Sequence, residues 1–344
     1  MTEYLAKKLD QLRDGVRARV IKMFDDGKAT STVKKVRLTD IVGMSEIKKQ
    51  LHIAVKAAKR RNQILGHIML LGPGGTGKTT LARAIGDAMG YHFAEIEGAS
   101  VNGSAVQLRQ TVITFAEEAR IAGIPLLFFI DEIHQLSGLQ ELLYSIMDDS
   151  RIKLPTGMMD LGPLTLVGAT TREDALDSRS FRNRFKFVFR IERYSDLDLK
   201  RIARMHIRRA GIQREDPDAL AEIAKRCHGL PRNAVKLADR VVDTCYARDG
   251  HAVGKMDAIN TFGLLGLDDE GLSRSHRRYL QILMDAEGRP CGLNYMYAAM
   301  GLPRAEVENV IEPDLFMKRF VRTTSRGRIL TDAGHRHLGC TMDE

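Results

Sequence analysis

Residues 72–80 read Gly-Pro-Gly-Gly-Thr-Gly-Lys-Thr-Thr, after the apolar run 67–71 and before the helix-forming stretch 81–85. Gly-x4-Gly-Lys-Thr between a strand and a helix is a phosphate-binding loop. Gly72, Gly74, Gly75 and Gly77 let the backbone take positive φ, so that successive N–H groups turn inward on a polyphosphate. The N-terminus of the following helix adds its partial positive charge. Lys78 has the reach for the β- and γ-phosphates, the Thr79 hydroxyl suits Mg²⁺, and Thr76 and Thr80 complete the cradle. A nucleotide such as ATP is the implied ligand. Such a loop also constrains the fold, because it has to leave the end of a buried strand.

The surrounding pattern agrees. Short apolar strands are expected at 68–71, 93–97, 126–130, 164–167 and 187–190, with helices near 45–61, 78–89, 105–121 and 137–148. Alternation of this kind implies an α/β domain, a parallel sheet covered on both faces. From 195 to 264 only helical patterns remain, at 197–210, 217–227 and 231–248. Beyond 272, three helix-like segments lead into 320–331, which alternates around Ser325-Arg326-Gly327 and reads as a β-hairpin. The expected organisation is an N-terminal helical extension over 1–35, a large domain over 36–191, a helical lid over 192–265 and a last domain over 266–344. Leu5, Leu9, Leu12, Val16 and Val20 form the helical stripe of the extension, which packs either on its own chain or on a neighbouring subunit.

The bulk numbers exclude several classes. Hydrophobic content of 44% with 28% charged residues describes an ordinary globular chain. The longest apolar run, 124–130, is far too short for a membrane span, and the N-terminus has no secretory core. Cys227, Cys245, Cys291 and Cys340 are scattered without a C-x-x-C pair, which argues against a disulfide frame or zinc site and suits a reducing cytoplasm. A net charge of +9 leans towards an anionic partner.

Three further runs carry chemistry. Residues 126–132 form an apolar strand ending in Asp131 and Glu132. Carboxylates at that end of a parallel strand lie in the crevice where such sheets bind ligands. Asp131 suits Mg²⁺ through its water shell, and Glu132 suits the attacking water. His134 reads as a structural or coupling residue rather than a base. Residues 166–171 form another strand, with threonine hydroxyls at its mouth. Arg182 and Arg184 follow, either of which could stabilise a transferring phosphoryl group, from its own or a neighbouring subunit.

Taken in order, GPGGTGKTT, LLFFIDEIHQLS, LYSIMDDS, LTLVGATTRE, FRNRF and HGLPRNAVKLADRV resemble the AAA+ ATPases, and among them most closely the RuvB family of Holliday junction motors. The resemblance runs from about Leu38 to the end of the chain, including IEPDLFMKRFVRTTSRGR. It implies a P-loop domain, a helical lid and a C-terminal winged helix, assembled as a homo-hexamer on DNA. It assigns Ile41 and Val42 to the adenine pocket, Thr171 to sensor 1, Arg184 (with Arg182 as second choice) to a trans-acting arginine finger, and Arg232 to sensor 2. It also points to Arg322, Arg326 and Arg328 as contacts to DNA backbone. These belong to a basic stretch, 316–337, with six Lys/Arg and one acid.

One interval departs from the family. Residues 150–162 are shorter than the family's protruding hairpin, which grips RuvA, so a RuvA-type partner is in doubt. A small hairpin with Met158 and Met159 beyond its turn is still allowed. The expected function is an ATP-driven DNA translocase. The alternatives are an ATP-switched loader or scaffold and, third, a remodeller of protein that docks through the basic wing.

Overall fold

The computed structural model describes residues 35–154, 157–176 and 179–341. The stripe expected over 3–25 lies outside these residues. By its contacts the chain divides into two compact units, one up to Arg193 and one from Tyr194 onward.

In chain order the first unit carries β1 (Ile68–Leu71), β2 (His92–Glu97), β3 (Leu126–Asp131), β4 (Arg151–Leu154), β5 (Gly157–Asp160), β6 (Leu164–Thr170) and β7 (Phe187–Arg190). Five of these make one parallel sheet in the order β2-β3-β6-β1-β7. Every residue of β1 and β6 is buried, as it must be when helices cover both faces. The helix Ala105–Ala122 shows why these residues coil. Ser104 caps it by accepting from the Gln107 N–H, and Leu108, Val112, Ala116 and Ala119 put one buried stripe on the core. Strand β6 runs three residues beyond the expected 164–167, because Gly168, Ala169 and Thr170 pair with Met69, Leu70 and Leu71 of β1. Strands β4 and β5 form the small antiparallel hairpin that the sequence allowed, with Ile152 buried and Met158 exposed.

The second unit begins with helices Asp196–Arg209, Pro217–Lys225, Pro231–Ala247 and Lys255–Leu264. Only helices were expected there, yet β8 (Arg214–Glu215) pairs in parallel with β9 (Ala252–Val253). The pairing is anchored by Glu215, nearly buried, which takes Arg204 at 3.0 Å and Arg208 at 2.9 Å. Helices Arg274–Asp285 and Leu293–Met300 follow, then a broken helix over 304–317. The strands β10 (Val321–Thr324) and β11 (Gly327–Leu330) make the expected hairpin, and helix Asp332–Thr341 follows it. Tyr279, Leu283, Met296, Ile311, Leu315 and Val321 lie in their shared core.

The boundary expected at 265/266 is not a break in packing. Residues 268–271 (Asp-Asp-Glu-Gly) join the lid to the winged helix and are clasped from both sides. From the lid, Arg226 donates to Asp268 O at 2.9 Å and to Asp269 at 2.8 Å, and Lys225 pairs with Glu270 at 3.2 Å. From the winged helix, Lys318 reaches Glu270 at 2.6 Å and His337 reaches Asp268 at 3.1 Å. Burial pushes the Asp268 and Glu270 carboxyls up, but the His337 bond on one and the lysines on the other reverse this and leave both below their ordinary values. Burial likewise pushes the Cys227 thiol up to about 12, which keeps it inert. Among the described residues no helix is long and apolar enough to cross a membrane.

Gly271 has φ +79°, and a Cβ there would meet Arg226 Cα at 2.8 Å and Arg226 O at 2.9 Å. Gly271→Ala should therefore cost at least about 1–2 kcal/mol, from the left-handed backbone alone, read as a lowered melting temperature. Because both clasp carboxyls are depressed, their stabilisation is present above about pH 4 and fades as pH falls below it. Acid titration followed by circular dichroism should show the second unit losing stability in that window and gaining none.

Candidate active site and basic wing

The carboxyl ends of β3, β6 and β1 lie side by side, so the three candidate runs converge without any long loop. Leu71 is level with Thr170, and Gly72 N–H donates to Thr170 O at 3.2 Å. The loop then turns through Gly75 (φ 78°) and Gly77 (φ 94°) into the helix Lys78–Met89, aiming N–H groups and the helix terminus at one point. Lys78 is buried, with Nζ donating to Gly72 O at 2.8 Å and Pro73 O at 3.0 Å. Thr76 was expected to touch the ligand. Its hydroxyl is instead turned inward onto Pro73 O at 2.8 Å, where it braces the loop and leaves only its N–H for phosphate. The Thr79 side chain is half-buried and Thr80 is exposed. Ile41 and Val42 are half-buried at the turn before helix Ser45–Arg60, with Ile41 O held by Lys48 Nζ at 2.6 Å.

Glu132 takes a left-handed backbone, φ 48° and ψ 49°, a conformation that a non-glycine residue keeps only when its surroundings enforce it. That turn carries its carboxylate across to β6. Oε2 accepts from Thr171 N–H at 3.0 Å and from the Thr171 hydroxyl at 2.9 Å. His134 Nδ1 stands 3.2 Å from the same oxygen and 2.9 Å from the Thr170 hydroxyl. His134 thus links the acid to the strand end, the coupling position expected of it. A Cβ on Gly74 would lie 3.9 Å from the Thr171 methyl, so the phosphate loop and Thr171 are neighbours. The fold brings together Gly74, Lys78, Asp131, Glu132 and Thr171, as the sequence suggested.

The oxygens of Thr79 and Asp131 fit a hard divalent cation such as Mg²⁺. Among the described residues no group of three or more His, Cys, Asp or Glu could hold a metal alone. Two protein oxygens are what a cation carried in on phosphates needs, since Mg²⁺ keeps much of its water.

Arg184 and Arg182 stand apart from this cluster. Arg184 Nε donates to Asp148 at 2.9 Å, Nη1 donates to Ser180 O at 3.0 Å, and the guanidinium lies 3.9 Å over the Tyr144 ring. Arg182 is held by Glu173, at 3.2 Å to its carboxylate and 2.6 Å to its carbonyl. Neither donates to its own chain's phosphate loop among the described hydrogen bonds. Arg232 is exposed at the second position of helix Pro231–Ala247.

The wing corrects one expectation. Arg322 and Arg326 are exposed on β10 and at the turn, and Arg319 is exposed just before them. Arg328 points the other way. Its guanidinium grips Glu312 with two hydrogen bonds, 2.8 and 3.0 Å, and Glu312 also accepts from the Tyr279 hydroxyl at 2.7 Å. With Glu312 almost fully buried, Arg328 is an internal strut and not a contact on the wing surface. The broken helix before the hairpin carries Glu306, Glu308, Glu312 and Asp314 against the single cation Arg304. Positive charge is therefore concentrated on the wing.

Residues 33–191 match the family model for the Holliday junction DNA helicase RuvB P-loop domain, and residues 269–339 match the RuvB C-terminal winged helix domain. The chain is 36% identical over 323 residues to the Holliday junction branch migration complex subunit RuvB of Synechococcus sp. RCC307, covering 91% of each protein. It is 34% identical over 320 residues to the same subunit of Kosmotoga olearia, covering 90% of this chain and 91% of that one. The structure of the Thermotoga maritima RuvB Holliday junction branch migration motor is similar with a TM-score of 0.74, at 32% identity and over 88% of this chain and 97% of that one. Identity at this level across nearly the full length, with both flanking domains matched, means that the chain belongs to the RuvB family of AAA+ ATPases.

Proposed function

We propose that this chain is an ATP-driven motor that moves branched DNA, working as a ring in which Arg184 of one subunit serves the nucleotide held by the next. The observation that carries the reading is the hydrogen-bonded pair Glu132–Thr171 beside a complete phosphate loop. A chain that only bound nucleotide would have no use for an acid held in a strained backbone at that spot.

In the proposed mechanism the loop N–H groups and Lys78 hold the β- and γ-phosphates. Ile41 and Val42 line the adenine side. Mg²⁺ on Thr79 and Asp131 would neutralise charge on the β- and γ-oxygens. Among the described residues all three contacts to the Glu132 carboxylate fall on Oε2, and we assign Oε1 to orienting the water and accepting its proton. Thr171 holds that carboxylate in place. Arg184 is tethered by Asp148 and stacked on Tyr144, so it is presented as a fixed group, and we assign it to the neighbour's site. Arg232 takes the sensor-2 role on the lid.

Arg322 and Arg326 contact DNA phosphates without reading bases. Arg328 has no share in that contact, because Glu312 already neutralises it. Among the described residues of the β4–β5 hairpin Met158 is the one exposed large apolar side chain, so we infer that a RuvA-type partner is not gripped there as it is by a longer arm.

Lys78→Ala should abolish nucleotide binding. Arg184→Ala should retain ATP affinity within about threefold and lose about 10³-fold in kcat, the range for removal of a trans arginine. Undiminished turnover in purified Arg184→Ala protein would reject the assignment. Arg326→Ala should weaken DNA binding on all sequences and lower the salt slope by about one unit, with an unchanged melting temperature. Arg328→Ala should do the reverse, costing about 3 kcal/mol of stability by stranding Glu312 while the salt slope stays put. Junction migration by the purified protein with ATP tests the whole reading. DNA-stimulated hydrolysis without movement would assign a loader instead.

A further inference from the structure

The helix before the wing is broken in a particular way. Residues 304–306 are α-helical, Val307–Ile311 form a turn of π-helix, and Glu312–Met317 resume the α form. Pro313 accounts for the break, since it has no N–H for the carbonyl four residues back and its ring crowds that carbonyl. Acids flank this proline. Residues two apart on a helix point about 200° apart, so Glu312 and Asp314 leave the helix on opposite sides. Glu312 faces the wing and holds Arg328 and Tyr279. Asp314 faces the lid.

There Asp314 Oδ2 accepts from His228 Nδ1 at 2.7 Å, and His276 Nε2 stands 3.7 Å away, beyond hydrogen-bond length and without another hydrogen-bond partner among the described residues. His228 is buried, with left-handed φ 51°, and its Nε2 donates to Glu270 O at 3.1 Å. The ring thus bridges Asp314 and the linker backbone at Glu270. Burial pushes the Asp314 carboxyl up, but His228, with His276, more than reverses this and holds it well below the usual carboxylate range.

Only Gly229, Leu230 and Pro231 separate His228 from Arg232. That stretch has little slack. Leu230 N–H donates to Cys227 O at 3.0 Å, Gly229 O accepts from Tyr194 N–H at 2.8 Å, and Pro231 fixes its own φ at the start of the helix. A stability role alone is a weak account of a buried polar pair, since apolar residues of similar size would serve as well.

We propose that Asp314 and His228 are positioning residues for Arg232, coupling phosphate contact at the wing to the helix that carries sensor 2. The link runs from the wing through Arg328 and Glu312, across Pro313 to Asp314, then through His228 to the start of helix Pro231–Ala247. It rests on the assignments of Arg232 and the wing made above. A chain of contacts by itself is no proof of coupling, so the test has to measure coupling directly.

The test uses the full-length protein carrying Asp314→Asn, His228→Ala or His228→Asn, each also combined with Arg232→Ala. ATP turnover is measured with and without duplex DNA, together with DNA affinity and amide hydrogen exchange. Asp314→Asn and His228→Ala should cut the DNA-dependent gain in kcat at least about fivefold while the KM for ATP and the Kd for DNA stay within about twofold. In the Arg232→Ala background the same changes should add nothing. His228→Asn keeps a donor for Asp314 and tolerates the left-handed backbone, so it should retain most of the coupling, and it remains informative should Asp314→Asn fold poorly. Exchange should quicken at 228–233 and stay unchanged over 321–330. Additive losses with Arg232→Ala, or unchanged exchange at 228–233, overturn the proposal. A wild-type protein that shows no DNA-dependent turnover rejects the motor reading instead, and the exchange result then decides the link alone.

Discussion

One backbone hydrogen bond, from Gly72 N–H to Thr170 O at 3.2 Å, holds the phosphate site in register. Because Leu71 is level with Thr170, the loop leaves β1 where Thr171 leaves β6, and Glu132 can reach Thr171 from β3. A slip of one residue would turn every side chain of β6 to its other face and take Thr171 out of reach. The opposite end of the sheet is pinned too. The Thr165 hydroxyl donates to Leu65 O at 2.6 Å, and Leu166 N–H donates to His67 Nδ1 at 2.9 Å. With β6 buried along its whole length and tied at both ends, the site inherits the rigidity of the core.

Groups set by local chain geometry could be read from the sequence. The phosphate loop, Asp131 and Glu132 lie at strand ends, and a strand end is visible as the place where an apolar run stops. The wing was visible for the same reason, as an alternating run with a turn. What could not be read were partners chosen by tertiary packing. Nothing local distinguishes Arg328 from Arg326, since the acid that captures Arg328 lies sixteen residues upstream on a helix broken by proline. The hydroxyl of Thr76 was hidden likewise by a three-residue local bond that matters only once the loop has closed. The pairing of β8 with β9 involves two residues on each side, too few to leave an alternating pattern. The clasp around Asp268-Asp269-Glu270-Gly271 left no local signal, because its cations come from Lys225, Arg226, Lys318 and His337, all more than forty residues away in the chain.

Two cations of the candidate site share a feature. Lys78 lies on loop carbonyls and Arg184 on a carboxylate, oxygen partners like those that phosphate offers. Exchange of one oxygen partner for another costs far less than bringing a bare charge in from water, which is how a site can be preorganised yet still released. For Arg184 the competition with Asp148 also sets a threshold. In the role proposed for it, the guanidinium would leave that carboxylate only for a group of comparable negative charge, such as a transferring phosphoryl group.

The division of charge in the winged helix leads to a statement about recognition. A helix reads bases by laying donors along the major groove, and over 304–317 the outward charged groups are the acid Glu306 and Arg304, which is already paired to Glu308 at 3.0 Å. Contact through that helix would set like charges against the phosphates. The wing exposes Arg322 and Arg326 on a short hairpin, a shape suited to backbone and poorly suited to base edges. A protein that has to pass along DNA gains from this arrangement, since an energy well at any one sequence would stall it. The other two acids of this helix turn inward and act as fasteners. Glu312 secures the wing and Asp314 the lid, which gives the arginines that remain outside a rigid mounting.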